Sequence, residues 1–379
     1  MSHTIKKFID ATIGIPLCYA LRPLVKLFAA RKPEIPKTIL IIKLWAIGDT
    51  LLILPLAKAL RETYPDTRID ILCRYHNYSV CKGSKLFDDV LLFEPTEVLS
   101  LVRTFRKYDL VFDGEPFFRI SALTAFWMGS YRVGFDHDVR KQTYDITTTH
   151  KMQHMVENYL EMATAFGINT ENPNALVKMQ TTEEDKKVAL GLLMRAGIKE
   201  TENLIAFAPH VGAEGKTRLW RQDKWAQLGE ELHTKYSAKV VFLGTTYDTK
   251  YISEIRQMMK TPSVDFSGQT TLMQTIALVD RCETVVSLDA GLMHIAAAQG
   301  ALTVGLFGPN TPTLWRPYGP KCGAIYHKVE CSPCINNKTG YIPDCLRKND
   351  RYLCMHLISS QDVVRQIAEI MNELVTSHT

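Results

Sequence analysis

The sequence predicts an α/β protein built as two successive units of similar size, each a parallel sheet covered by helices. Short apolar runs alternate with segments of helical spacing, the signature of repeated β-α-β units. The runs are near-continuous in Ile, Val and Leu, as strands buried on both faces must be. The pattern pauses at a polar stretch, 181–187, and then restarts. The 379 residues suffice for two such domains, and 46% hydrophobic with 22% charged residues is an ordinary globular balance.

The first element differs from the rest. Residues 1–37 hold seven Lys or Arg and two Asp or Glu, so the whole net charge of +5 resides there and the remainder balances. No basic surface for nucleic acid is therefore expected. Ile13, Leu17, Leu21, Leu24, Val25 and Phe28 recur at steps of three and four, with Arg22 and Lys26 one turn apart on another face. This predicts a basic amphipathic helix on a membrane surface. The alternatives are a helix packed on the protein's own core and a signal peptide. Arg22 and Lys26 oppose the latter, because they stand where a small-residue cleavage site belongs. The uncharged run at 11–21 is too short to span a bilayer, which takes ~20 residues. Pro16 and Pro23 predict a kinked or broken helix.

After Pro33 and Pro36, the run TILIIKL (38–44) reads as a buried strand, broken by Gly48-Asp49-Thr50. Residues 51–64 follow as a helix, and Pro65-Asp66 stops it. Further strands are expected at 68–74, 89–93 and 109–113. In the second unit they are expected at 204–208, 239–243, 263–266, 284–288 and 302–307, with helices at 223–233, 272–280 and 361–375. Residues 38–180 thus form the first domain and 181–379 the second. Ligands of such units bind at the carboxyl ends of the strands, here in a cleft between two sheets.

Four strand-to-helix junctions carry chemistry. Trp45 to Thr50 places Asp49 at a helix N-terminus, as an N-cap or as a reactive carboxylate. Gly48 stands alone, so no dinucleotide fingerprint exists there. Asp289-Ala290-Gly291-Leu292-Met293-His294 opens another helix, whose free N–H groups suit a diphosphate. Pro209-His210-Val211-Gly212-Ala213 follows a third strand, with the cations Lys216 and Arg218 close behind. Phe307 to Gly319 is rich in Pro and Gly, a structured loop fit to wall a site. Each junction also reads as an ordinary capped turn. Their recurrence beside cations points to a phosphate-bearing ligand. Asp136-His137-Asp138 resembles a D-x-D metal clamp, but three residues are a weak match and a loop is the simpler reading.

The runs IGDTLLILPLAKALRETYPDTRIDIL (47–72), FSGQTTLMQTIALVDRCETVV (266–286) and SLDAGLMHIAAAQGALTVGLFGPNTPTLWRPYG (287–319) resemble the ADP-heptose:lipopolysaccharide heptosyltransferase family. The resemblance spans residues 38 to about 375. It implies a GT-B architecture: two Rossmann-like domains with parallel sheets facing a central cleft, the donor held by the C-terminal domain and the acceptor by the N-terminal one. It also implies inverting transfer from ADP-heptose to a lipopolysaccharide core, with no cofactor required for catalysis. Asp49 then matches the general base, with Gly48 and Thr50 on the acceptor side. His210, Gly212, Lys216, Arg218, Gly268, Asp289, Gly291, Leu292, Met293 and His294 match the donor side. Three positions depart from the family pattern. Arg218 stands two residues before Trp220 where Lys is usual, Ala290 replaces a common Thr, and His210 replaces a Gly. Arg pairs with phosphate bidentately but reaches differently from Lys.

Five of the nine cysteines fall in 322–354. Cys331-x₂-Cys334-x₁₀-Cys345-x₈-Cys354 has the spacing of a four-thiolate knuckle, so structural zinc stands beside unligated thiols as a reading. Disulfides do not suit a cytoplasmic enzyme, and no catalytic role is expected of the cluster. The expected protein is thus a cytoplasmic heptosyltransferase, peripheral at the inner face of the membrane. The alternatives are a related glycosyltransferase with another nucleotide sugar or lipid-linked acceptor, and, from another class, a non-catalytic metal-binding scaffold.

Overall fold

In a computed structural model, residues 3–94, 102–209, 211–212, 215–337, 339 and 341–376 are described. The chain divides into two compact units, Met1–Pro173 and Asn174–Thr379.

The first unit runs α1 (His3–Leu27), β1 (Thr38–Ile42), α2 (Ile47–Thr63), β2 (Arg68–Cys73), α3 (Tyr78–Gly83), β3 (Asp89–Leu92), β4 (Tyr108–Asp113), α4 (Arg119–Met128), β5 (Gly129–Phe135), β6 (Ile146–Thr148) and α5 (Met155–Phe166). Its strands pair in parallel in the order β3-β2-β1-β4-β5-β6. The order reverses between β1 and β4, where Ile39–Ile42 pair with Leu110–Asp113. In doubly wound sheets, such a switch point is where ligands bind, outside the carboxyl ends of the strands.

The second unit runs α6 (Glu183–Arg195), β7 (Leu204–Ala208), α7 (Gln222–Tyr236), β8 (Lys239–Phe242), α8 (Thr249–Met258), β9 (Ser263–Asp265), α9 (Leu272–Val279), β10 (Thr284–Leu288), α10 (Gly291–Gln299), β11 (Leu302–Phe307), α11 (Pro312–Trp315), β12 (Cys322–Tyr326), α12 (Leu353–His356) and α13 (Ser360–Thr376). The parallel order β12-β11-β10-β7-β8-β9 is the same winding, with its switch between β7 and β10. Phe207, Trp220, Trp225 and Phe242 are fully buried in its core, and the two tryptophan rings meet at 5.0 Å. Met179 belongs to this unit: its N–H donates to Gln299 Oε1 at 2.8 Å, and Gln299 Nε2 donates back to its carbonyl at 3.3 Å.

α1 differs from the sequence reading in two ways. It runs as one helix through Pro16 and Pro23 rather than breaking into pieces. Both prolines are exposed, as are Thr12 and Tyr19 four residues before them, so the proline rings lie on the solvent side of the helix. It is also part of the first unit rather than a separate extension. Gly14 and Cys18 are buried, and the Asp10 carboxylate accepts the Arg119 N–H at 3.0 Å and the Ile120 N–H at 2.8 Å, covering the start of α4.

Candidate active site

At the carboxyl end of β1 the chain turns through Ala46, whose φ of 57° is left-handed, and enters α2. Ala46 is the N-cap, so Asp49 is not; it lies in the first helical turn with its side chain 23% exposed. Behind it sits Lys43, wholly buried, with Nζ 3.7 Å from Asp49 Oδ2 and 3.1 Å from Glu115 Oε1. Burial alone would depress the Lys43 pKa, but Glu115, Tyr159 and Asp49 hold it above its ordinary value. Glu115 comes from the turn after β4, across the switch point. Its Oε1 also accepts the Leu44 N–H at 2.6 Å and the Trp45 N–H at 2.8 Å. The carboxyl ends of β1 and β4 are therefore tied by one buried ion pair, and Asp49 is the member of this group that reaches solvent.

A second buried pair braces the same edge. Asp113, the last residue of β4, accepts Arg140 Nη2 at 2.9 Å and the Tyr144 hydroxyl at 2.6 Å, with both charges fully buried. Asn77 Nδ2 donates to the Lys43 carbonyl at 2.9 Å and to Thr50 Oγ1 at 2.8 Å. Gly48 and Thr50, expected on the acceptor side, are buried, and the Thr50 hydroxyl is spent on Ala46 and Asn77. They shape the turn and leave Asp49 as its exposed acid. Asp136 and Asp138 form no clamp: Asp136 accepts the Thr149 hydroxyl at 2.8 Å and Asp138 pairs with Arg119.

The second unit repeats the construction. α10 starts at Gly291 after an extended Ala290 whose side chain caps nothing, leaving N–H groups at the helix start for an anion. Arg218 closes on this turn. Its Nη1 donates to the Asp289 carbonyl at 2.8 Å, and its Nε lies 3.4 Å from Asp289 Oδ2. Asn310 Nδ2 donates to the same carboxylate at 2.8 Å. Asp289 is thus a buried tie between β7, β10 and the loop after β11, and Arg218 is engaged in holding it. Lys216, at the head of the same 3-10 turn, is exposed. Gly212 has φ +67°, and Gly268 has φ +69° with its N–H donating to the Gly244 carbonyl at 3.0 Å. A Cβ on Gly268 would fall 2.5 Å from Thr246 Cγ2 and 3.1 Å from its backbone, so only glycine allows this approach. His210 lies outside the described residues.

Two of the expected donor residues are buried. Met293 is fully buried, and its Sδ would lie 2.5 Å from a Cβ on Gly305, so it packs α10 onto β11. His294 is 3% exposed, and burial lowers its pKa to about 4. It is therefore neutral near pH 7. Its Nδ1, Thr217 Oγ1 and Ser267 Oγ are buried without a hydrogen-bond partner among the described residues. Gly291 and Leu292 are half-buried at the helix start.

His294 predicts acid lability. Its folded pKa of about 4 lies below the ordinary value of about 6.5. Between those values the unfolded chain binds a proton that the folded chain excludes. Stability is therefore complete above about pH 6.5 and falls by up to about 3 kcal/mol towards pH 4. Urea midpoints measured across that range should show a flatter slope in His294→Leu than in the parent.

The cysteine segment props the loop after β11. The N–H groups of Cys334 and Ile335 both donate to the Pro309 carbonyl at 2.9 Å, and Asn337 Nδ2 reaches Asn310 Oδ1 at 3.2 Å. Trp315 Nε1 donates to Asn337 Oδ1 at 2.8 Å. Cys331, Cys334, Cys345 and Cys354 are free thiols, and among the described residues no three His, Cys, Asp or Glu side chains are arranged to hold a metal ion. The thiols are engaged differently. Cys354 is buried, with Sγ 2.9 Å from where a Cβ on Gly308 would stand, and Cys345 Sγ accepts the Tyr352 N–H at 3.2 Å. As placed, the four thiols lie near enough to act on one another electrostatically but form no metal site.

Sequence reading missed Lys43, Asp113, Glu115, Asn77, Arg140 and Asn337, and placed Asn310 only within a loop fit to wall a site. The available signal was Lys43 inside an apolar strand run, since a charge there must find a buried partner.

Two Rossmann-ordered units in tandem, each with polar side chains gathered at the carboxyl ends beside its switch strands, have the architecture of the GT-B fold. The profile of glycosyltransferase family 9 (heptosyltransferase) matches residues 98–342, and the chain belongs to that family. Lipopolysaccharide heptosyltransferase 2 of Escherichia coli K12 is 26% identical over 319 residues, covering 75% of this chain and 87% of the relative. A lipooligosaccharide heptosyltransferase 2 of Haemophilus ducreyi is 28% identical, covering 72% of this chain and 83% of its own length. Among solved structures, a family 9 glycosyl transferase from Veillonella parvula superposes with a TM-score of 0.74 at 21% identity, covering 91% of this chain and 99% of that one. E. coli ADP-heptose lipopolysaccharide heptosyltransferase II gives 0.68 at 22% identity, covering 89% and 99%.

Proposed function

We propose that the protein transfers a heptose from ADP-heptose to a lipopolysaccharide core acceptor with inversion at the anomeric carbon, working at the cytoplasmic face of a membrane. Family membership and the two named heptosyltransferase relatives support the donor and acceptor classes. The observation that carries the mechanism is Asp49, a partly exposed carboxylate fixed at the switch point of the first sheet with Lys43 at its back. The acceptor hydroxyl attacks the anomeric carbon as the bond to the diphosphate oxygen breaks. ADP leaves with that electron pair, and Asp49 takes the hydroxyl proton. Negative charge grows on the leaving diphosphate. The N–H groups at the start of α10 and the Lys216 cation meet it there, while Arg218 holds Asp289 and thereby the turn. These fixed donors supply charge stabilisation without calling on a divalent metal.

The test is purified protein incubated with ADP-heptose and a truncated lipopolysaccharide. A mass gain of one heptose in the acceptor, with an inverted anomeric centre by NMR, is the expected result. Ala290 and Arg218 favour running a donor panel beside it. Turnover of another nucleotide sugar with none of ADP-heptose would replace the donor and keep the enzyme class.

A further inference from the structure

α1 has two apolar faces, and the protein's own core uses one. Gly14 and Cys18 are buried, and Leu21, Val25 and Phe28 are half-buried on that side. A Cβ on Gly14 would fall 2.5 Å from Arg119 Cβ, so the helix lies directly on α4. The other face is bare. Ile13 is 57% exposed, Leu17 45%, Leu24 38% and Leu27 74%. At 3.6 residues per turn these four fall within an arc of about 80°. The patch does not end with the helix. Phe28 meets Phe105 at 5.9 Å and Phe105 meets Trp127 at 4.7 Å, with Phe105 and Trp127 both near two-fifths exposed.

We propose that this outer face docks on an anionic lipid bilayer, with α1 lying along the headgroup boundary. Charge favours an anionic surface: the entire excess of +5 lies in residues 1–37, and Arg22 and Lys26 are exposed on α1, on the side away from the four apolar residues. Composition agrees, since Leu and Ile on one face with Trp and Phe at its edge suit an interfacial helix. Among the described residues no helix is long and apolar enough to cross a membrane, which is consistent with lying on the surface. The packing against α4 gives the docking a direction. Asp10 is fixed to the Arg119 and Ile120 N–H groups, so a helix held by lipid holds the first unit in one orientation. The inference rests on the proposed lipid-bearing acceptor for its purpose, but its test needs no sugar donor.

Deleting residues 1–37 would uncover Cys18 and the start of α4, so the test uses exposed positions in the full chain. Wild type is sedimented with vesicles of phosphatidylethanolamine and phosphatidylglycerol, and with vesicles of phosphatidylcholine alone. It should bind the anionic vesicles and leave them as salt rises. Leu17→Asp/Leu24→Asp should bind about tenfold less or weaker still, while keeping its thermal transition and its ADP release on a soluble acceptor analogue. Arg22→Gln/Lys26→Gln should weaken binding and flatten its salt dependence. Equal binding by wild type and the double Asp variant overturns the proposal. So does a wild type that stays in the supernatant, or one that is dimeric in solution while the variant is monomeric, because a second copy then covers the face. Loss of transfer activity with vesicle binding intact would instead count against the proposed reaction.

Discussion

Asp49→Asn should lower turnover by about 10²–10⁴-fold while leaving the fold and donor affinity nearly unchanged. Asn keeps the size and the position in the first turn of α2, and removes the ability to take a proton. Little else should move. Lys43 retains Glu115 at 3.1 Å, so no buried charge is stranded by the change. Glu115 is no substitute base: it is 1% exposed, and its Oε1 is occupied by the Lys43 ammonium and two backbone N–H groups. The measurement is kcat under saturating donor and acceptor, with ADP-heptose affinity from calorimetry and a thermal transition as controls. A variant retaining more than about a tenth of the parent rate would mean that another group removes the proton.

Lys43→Met should cost about 3–5 kcal/mol of stability, because it leaves the Glu115 carboxylate buried without its cation. The loss belongs to the stranded charge rather than to the pair. Adding Glu115→Gln should therefore restore part of it, since a neutral amide still accepts the Leu44 and Trp45 N–H groups. A double-mutant cycle in urea measures that coupling. Turnover should fall too, because Asp49 loses the ammonium 3.7 Å behind its Oδ2. In the doubly substituted protein the rate should remain low even where stability returns. If stability and rate recover together, Lys43 is structural and does not position Asp49.

Much of the strand framework was legible. The runs at 204–208, 284–288 and 302–307 coincide with β7, β10 and β11, all buried throughout. Central parallel strands are covered on both faces, so their sequence is uniformly apolar and local composition suffices. β5, β6 and β12 were not read. β5 (GSYRVGF) carries a charge in its middle, and Arg132 is tolerated there because Asp145, thirteen residues on, closes on it at 2.8 Å. β6 has only three residues and β12 is only partly buried, and what makes either a strand is its neighbour. Pairing is long-range information that composition does not contain.

The site divides in the same way. Asp49 and the turn from Asp289 to His294 could be found from spacing, because a strand-to-helix junction needs glycine and a short polar residue at fixed offsets, whereas Gly268 followed only from the family resemblance. Lys43 to Glu115, Arg140 to Asp113 and Arg218 to Asp289 could not. Their partners are 72, 27 and 71 residues apart and meet only when the sheets wind. α1 shows the boundary between the two kinds of knowledge. By itself the sequence determined a helix with apolar residues at helical spacing and the chain's entire charge excess nearby. Only the tertiary structure decided which apolar residues face inward, because Asp10 caps α4 and Gly14 lets the two helices touch. That contact turns Leu21, Val25 and Phe28 toward the protein and Ile13, Leu17 and Leu24 away from it.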